Sequence, residues 1–105
     1  MAIKELLQEE LGNSLRMAKD YERASAKLPR GCLVKKAIRG RSYYYLAHRE
    51  KDRVRFKYLG RQVDEKELAK YAEAKRLRAQ YRGLLAELRK QVLFLRKALR
   101  AKQAV

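Results

Sequence analysis

The chain has 105 residues, which is enough for one small domain (residues 1–105) with one hydrophobic core. Its 28 Lys and Arg residues outnumber 12 Asp and Glu residues, so the formal net charge is +16. Such an excess of one sign opposes compaction unless a negative partner or counterions neutralise it. Because 47% of the residues are apolar, the chain is too hydrophobic for a disordered basic tail. We therefore expect a folded domain that binds something negative.

Several classes of site are excluded by composition. The single cysteine, Cys32, cannot form an intramolecular disulfide, and no Cys/His cluster has the spacing of a metal site. The N-terminal stretch carries acidic residues and does not resemble a signal peptide. No apolar run approaches the roughly 20 residues of a transmembrane helix. We expect a soluble cytoplasmic protein without a cofactor.

Residues 1–28 are predicted to form a helix, because apolar residues recur there at spacings of three and four. Gly12-Asn13 weakens its middle and is expected to bend or split it. The helix ends before Pro29, since the residue before a proline disfavours the α conformation. Its predicted apolar face contains Ile3, Leu7, Leu11, Leu15, Ala18, Tyr21 and Leu28.

Residues 32–60 are predicted to form a three-stranded antiparallel meander, with strands at 32–38, 42–49 and 54–59. The register that pairs Val34 with Tyr45 and Arg49 with Val54 sorts the side chains onto two faces. One face is apolar or aromatic, and we expect it to pack on the helices: Cys32, Val34, Tyr43, Tyr45, Ala47, Val54, Phe56 and Tyr58. The opposite face contains Leu33, Lys35, Tyr44, Leu46, His48, Arg55 and Lys57.

This second face and the two turns form the predicted nucleic-acid-binding surface. Residues 29–63 contain 11 basic residues and two acidic ones, Glu50 and Asp52. Lys and Arg contact phosphates, Tyr44 can stack on a base, and an antiparallel ribbon fits the major groove of DNA. The alternative is a solvated face, because Lys and Arg also protect exposed strands from aggregation. The predicted contacts are Lys35, Arg39, Arg41, Tyr44, His48, Lys51, Arg53, Arg55 and Lys57.

Residues 64–102 are predicted to form a long basic helix that Asp64 caps. A heptad seam predicts an antiparallel coiled coil with the first helix, and hence an α+β fold. The seam contains Tyr71, Ala74, Arg78, Tyr81, Leu85, Leu88, Val92, Leu95 and Leu99, of which only Arg78 is charged.

Basic residues follow one flank of this helix, with a new pair roughly every 10 Å. The members expected to contact nucleic acid are Lys75, Arg76, Arg82, Arg89 and Lys90. A flank that pairs with acids of the first helix is the alternative.

The second helix is longer than the first, which is expected to cover it only to about residue 90. The apolar strip beyond that residue indicates self-association, with Val92, Leu95 and Leu99 as the oligomer interface. A basic amphipathic C-terminus that lies on an anionic membrane is the less favoured alternative.

The run GRSYYYLAHREKDRVRFKYLG (40–60) resembles a pattern in small prokaryotic proteins of a domain-of-unknown-function type. Those proteins have a helix, a proline-glycine break, a tyrosine-rich hairpin that ends in a Tyr-(Ile/Leu)-Gly turn, and a long charged helix. The resemblance implies this architecture over most of the chain, without an activity. The hairpin alone is similar to the three-stranded arm-binding domains of phage-type tyrosine integrases, which lay their sheet in the major groove.

Catalysis is not expected, because His48 is the sole histidine and the sheet has no carboxylate cluster for Mg²⁺. We predict a non-enzymatic nucleic-acid-binding protein, with duplex DNA favoured over RNA. Structured RNA or the ribosome is the alternative among nucleic acids. A docking or regulatory subunit for an acidic protein partner is the alternative from another class.

Overall fold

The computed structural model describes residues 2–103, without the side chain of Gln103, as two helices and one sheet. The elements in chain order are α1 (Ile3–Ala26), β1 (Cys32–Ile38), β2 (Arg41–Glu50), β3 (Arg53–Gly60) and α2 (Glu65–Gln103). The sheet is antiparallel, with strand order β1-β2-β3. The predicted α+β fold of helix, meander and long helix is confirmed. No helix within residues 2–103 combines the length and the apolar character needed to span a membrane.

The helix ends follow from local chemistry. The α2 helix begins after Asp64, whose Oδ1 accepts a hydrogen bond from the backbone N–H of Lys66 at 3.2 Å. The Asp64 carbonyl accepts the first helical hydrogen bond, from Leu68, at 3.1 Å. The α1 helix continues through Gly12. The split that the sequence offered as one possibility at this position does not occur.

Spatial proximity divides the chain into two compact units. The helical unit consists, within the described residues, of 2–27 and 79–103, and therefore of α1 and the C-terminal part of α2. The sheet unit consists of residues 28–78, which include all three strands and the first part of α2. The organisation of the chain as a single domain stays a prediction.

In the helical unit the two helices are antiparallel. The ring centroids of Tyr21, near the end of α1, and Tyr81 are 5.8 Å apart. Beyond Tyr81, α2 buries Leu88, Val92, Leu95 and Leu99. A parallel α1 would end at Ala26, shortly after Tyr21, and would leave these residues uncovered. The burial therefore requires α1 to run back along α2.

The prediction that Val92, Leu95 and Leu99 form an uncovered oligomer interface is wrong. They are only 8%, 5% and 9% exposed within the single chain. The prediction assumed that α1 covers α2 from the start of α2, whereas α1 pairs with the stretch 79–103, which is of similar length to α1. Cover therefore reaches Leu99 in the last turns of α2. The large apolar residues exposed on this stretch are Leu93 and Phe94, at 57% and 68%.

The predicted apolar face of α1 is also wrong at two positions. Ser14 is the buried residue of this helix, whereas Leu15 and Ile3 are exposed. The half-buried residues Leu7, Leu11, Ala18 and Tyr21 alternate spacings of four and three only if position 14 is included. The heptad register therefore places a serine in the seam of α1.

The predicted register of the sheet is confirmed. Val34 lies opposite Tyr45, and Arg49 lies opposite Val54. Arg39 and Gly40 connect β1 to β2, and their φ angles of 52° and 76° fit the two left-handed positions of a type I′ turn. A bulge between Tyr44 and Tyr45 shifts the pairing with β3.

The prediction that the aromatic side of the sheet packs on the helices is wrong. Val54, Phe56 and Tyr58 are 52%, 53% and 53% exposed, and no residue of 32–60 is fully buried. The seam residues of α2 from Leu88 to Leu99 are instead buried in the helical unit, where α1 covers them. Alternation correctly assigns residues to faces, but it does not decide which face is covered.

Candidate nucleic-acid interface

One side of the sheet is an accessible aromatic surface, which we call the aromatic face: Lys36, Tyr43, Tyr45, Val54, Phe56 and Tyr58. The Tyr58 ring centroid lies 6.3 Å from that of Tyr43 and 5.4 Å from that of Tyr45, and both pairs are tilted. Such cross-strand aromatic pairs stabilise a sheet and explain why these residues form one. Phe56 and Tyr58 still expose about half of their surface.

Lys36 lies over two of these rings. Its Nζ is 5.1 Å from the ring centroid of Tyr45 and 4.6 Å from that of Phe56, within cation–π range. The predicted site residues do not include Lys36, Tyr45, Phe56 and Tyr58, because their face was expected to pack on the helices. A signal was present: alternation places Lys36 on this side, and charged residues are seldom buried.

Acidic residues are absent from the aromatic side of the sheet. The register places residues 32, 34, 36 and 38 of β1, the odd-numbered residues of β2, and residues 54, 56 and 58 of β3 on this side. Lys36, Arg41 and Arg49 are among them, without any Asp or Glu. The ring faces are therefore surrounded by positive charge alone within the sheet.

The opposite side, which we call the basic face, contains Leu33, Lys35, Tyr44, Leu46, His48, Arg55 and Lys57. All of them except the two leucines are predicted to bind nucleic acid. Arg55 Nε lies 2.6 Å from Glu50 Oε2 in an exposed ion pair, so part of its charge is already compensated. Lys35 and Lys57 are exposed and form no ion pair with a described residue. Tyr44 and His48 are half-buried.

His48 lies beside the connection from α1 to β1. Its Nδ1 is buried and has no hydrogen-bond partner among residues 2–103. Arg78 fixes the connection, because its Nη1 and Nη2 donate to the carbonyls of Pro29 and Gly31 at 2.7 and 2.9 Å. The cleft at this place is lined by His48, Glu50 and four basic residues: Arg30, Arg49, Lys57 and Arg78.

Most basic residues of the sheet form no ion pair with a described residue. The predicted contacts Arg39, Arg41, Lys51 and Arg53 lie in or beside the two turns and are exposed. Within residues 32–61, nine basic residues form no ion pair with any described residue: Lys35, Lys36, Arg39, Arg41, Arg49, Lys51, Arg53, Lys57 and Arg61.

The predicted basic residues of α2 are all exposed and fall in both units. Lys75 and Arg76 belong to the sheet unit, whereas Arg82, Arg89 and Lys90 belong to the helical unit. Of the five, Lys75, Arg82 and Arg89 form no ion pair with a described residue.

Two members of this set have acidic neighbours on α2 itself. Arg76 Nε donates to Glu73 Oε2 at 3.1 Å, and this hydrogen bond lowers the pKa of the Glu73 carboxyl and raises that of Arg76. Lys90 Nζ lies 3.7 Å from Glu87 Oε1. No group of three or more His, Cys, Asp or Glu within the described chain is arranged to hold a metal ion.

A family model described as a domain of unknown function (DUF6788) matches residues 3–70. The match covers α1, the whole sheet and the start of α2, which is more than half of the chain. The resemblance to a domain-of-unknown-function family is confirmed, and the similarity of the hairpin to integrase domains stays a prediction. Neither the curated proteins nor the solved structures contain a match.

Proposed function

We propose that this chain, which belongs to the domain-of-unknown-function family DUF6788, binds nucleic acid through its sheet. The observation that carries the proposal is the set of nine basic residues in 32–61 without an ion pair to a described residue. A nucleic-acid backbone presents a regular row of phosphates and releases condensed counterions when Lys and Arg neutralise them. Such a ligand removes the repulsion that the unpaired basic residues exert on one another.

Duplex DNA is the ligand that we propose for the basic face. Lys35 on β1 and Lys57 on β3 flank the central strand. Because neighbouring strands lie about 4.8 Å apart, these two strands are roughly 10 Å apart. The major groove, about 12 Å wide between phosphate-lined walls, accommodates a ribbon of this width. Structured RNA or the ribosome, and an acidic protein partner, are the competing ligands.

Exposed basic residues of α2 can extend the contact with nucleic acid beyond the sheet. Lys75, Arg82 and Arg89 are exposed and unpaired with described residues, and each can contact phosphate. Self-association and a cytoplasmic location stay predictions. Val92, Leu95 and Leu99 have no part in self-association here, since these residues are buried in the single chain.

The double variant Lys35→Gln/Lys57→Gln tests the basic face. We expect weaker binding to a short DNA duplex. The plot of log K against log salt should also become shallower, because its negative slope loses about 0.9 in magnitude for each phosphate that the variant no longer neutralises. The matched control is Lys4→Gln/Lys19→Gln, which makes the same change of charge at two exposed positions of α1. Fluorescence anisotropy over a salt series measures both quantities.

Two results would count against the proposal. Equal losses of affinity in the sheet variant and the α1 control would mean that the duplex responds to net charge alone, and the basic face would not be the site. Failure of the wild-type protein to bind duplex DNA, single-stranded DNA or RNA at low salt would contradict nucleic-acid binding itself.

A further inference from the structure

We propose that the aromatic face binds unpaired bases of single-stranded nucleic acid, as a second mode on the side of the sheet opposite the basic face. The proposal rests on the proposed function for the class of ligand, but the aromatic rings that carry it are not used by that function. Tyr45, Phe56 and Tyr58 supply the stacking surface, and Lys36, Arg41 and Arg49 supply the positive charge on the same side of the sheet.

The first observation is exposure without cover. Phe56 and Tyr58 are each 53% exposed, although large aromatic residues usually bury most of their surface. Their neighbour Tyr45 is half-buried, and its ring centroid lies 5.4 Å from that of Tyr58. A strand of unpaired bases offers flat rings that stack on such a surface in a manner tolerant of sequence.

The second observation is the position of Lys36. Its ammonium lies over the rings of Tyr45 and Phe56, at 4.6 Å from the Phe56 centroid, and so occupies the place that a stacked base would take. A base that displaces this flexible side chain brings a phosphate with it. The displaced ammonium loses its cation–π interaction and gains a contact with this phosphate. The phosphate contact offsets the loss of the cation–π interaction.

The charge on this side of the sheet selects among possible occupants. With Lys36, Arg41 and Arg49 and no acidic residue, it favours a ligand that combines flat rings with negative charge. A second copy of this chain docked face to face would bring like charges together. Unpaired nucleotides supply both properties in every residue of the ligand.

The ligand must be unpaired for a geometric reason. In a duplex the faces of the bases are stacked on one another, and only their edges are accessible in the grooves. A sheet whose exposed side chains are rings uses the faces of bases, as other aromatic sheets do for single-stranded RNA. The two sides of this sheet therefore address two different forms of nucleic acid.

A tryptophan reporter tests the interaction directly. The chain contains seven tyrosines but no tryptophan, so Phe56→Trp places a single tryptophan on the aromatic face, where it can be excited selectively and still offers a ring for stacking. We expect a short oligothymidylate or oligouridylate to quench this fluorescence on binding. A fully paired duplex and polyglutamate are expected to leave it nearly unchanged.

Affinity measurements on the double variant Phe56→Leu/Tyr58→Leu complement the reporter. Removal of the stacking rings should weaken binding to oligothymidylate by about five- to 150-fold for each base released, with little change for a duplex. Phe94→Ala is the matched control, because it removes an exposed aromatic ring from α2, outside the sheet. Thermal melting followed by circular dichroism establishes that each variant is folded.

The outcomes separate this inference from the function on which it rests. Quenching by single strands together with weaker binding of the leucine variant supports it. Binding of oligothymidylate without quenching, and with unchanged affinity in that variant, overturns the aromatic face and leaves nucleic-acid binding standing. No binding of any nucleic acid overturns both, and equal quenching by polyglutamate overturns it in favour of an acidic protein ligand.

Discussion

At the scale of single residues, Arg78 and Gly31 explain how the chain passes from α1 into the sheet. Arg78 is the charged interruption of the seam, and the structure gives it a role: its guanidinium donates to the carbonyls of Pro29 and Gly31. Gly31 has a φ of 93°, and a Cβ there would lie 2.7 Å from the carbonyl oxygen of Ala47. Both residues are therefore needed where they stand, although sequence periodicity marks Arg78 only as an irregularity.

A comparison of two glycines tests this description. Gly31→Ala should lower the free energy of unfolding by about 1–3 kcal/mol, because it forces a side chain into a left-handed backbone and against Ala47. Gly83 lies within α2, and a Cβ there would meet no neighbouring atom within 4 Å. Gly83→Ala should therefore raise the free energy of unfolding by up to about 1 kcal/mol, since alanine is the better helix former. Urea denaturation measures both changes. Changes of the same sign in the two variants would contradict the description of Gly31.

At the scale of elements, the pattern of the sequence predicts most of the fold. Heptad spacing places Leu88, Val92 and Leu95 on one stripe of α2, and the structure buries that stripe. Alternation and turn length predict the strand register through Val34 and Tyr45. These features are local, because the periods of a helix and a strand are set by backbone geometry.

The pattern fails where a feature depends on which elements meet. Tyr58 and Phe56 read as core residues, because aromatic faces of sheets are usually covered. Their exposure is a matter of tertiary packing, which no short-range spacing encodes. The same cause hid the burial of Leu99. Alternation predicted the members of both faces, whereas the position of Lys36 was the one signal in the sequence that the aromatic face is exposed.

The helical unit provides a matched pair of neighbours on α2. Leu95 is 5% exposed, and Leu95→Ala should lower the free energy of unfolding by about 2–5 kcal/mol, because it leaves a cavity against α1. Phe94 is 68% exposed, and Phe94→Ala should change the free energy of unfolding by no more than about 0.5 kcal/mol. Chemical denaturation of both variants checks the expectation. A larger decrease for Phe94→Ala would mean that the seam of α2 faces the other way.

At the scale of the whole molecule, the charge of +16 is unevenly distributed along the chain. Residues 28–78 contain 16 basic and six acidic residues, and the sheet within them has a single ion pair among the described residues, Glu50 with Arg55. Exposed ion pairs of this kind contribute little to stability, so the excess charge is not there to hold the fold together. Its position on an accessible sheet is instead what a surface for a polyanion requires.

Competition for a labelled DNA duplex tests the central claim most directly, namely that the sheet binds nucleic acid and does not merely attract any polyanion. Unlabelled duplex and polyglutamate, matched in total charge and at one salt concentration, are titrated against the bound label. We predict that the duplex displaces the label at a much lower concentration of charge than polyglutamate does. The groove width and regular phosphate spacing of a duplex fit the proposed ribbon, whereas a flexible polypeptide offers charge alone. Equal displacement by polyglutamate would contradict it and would identify the sheet as a docking surface for an acidic protein.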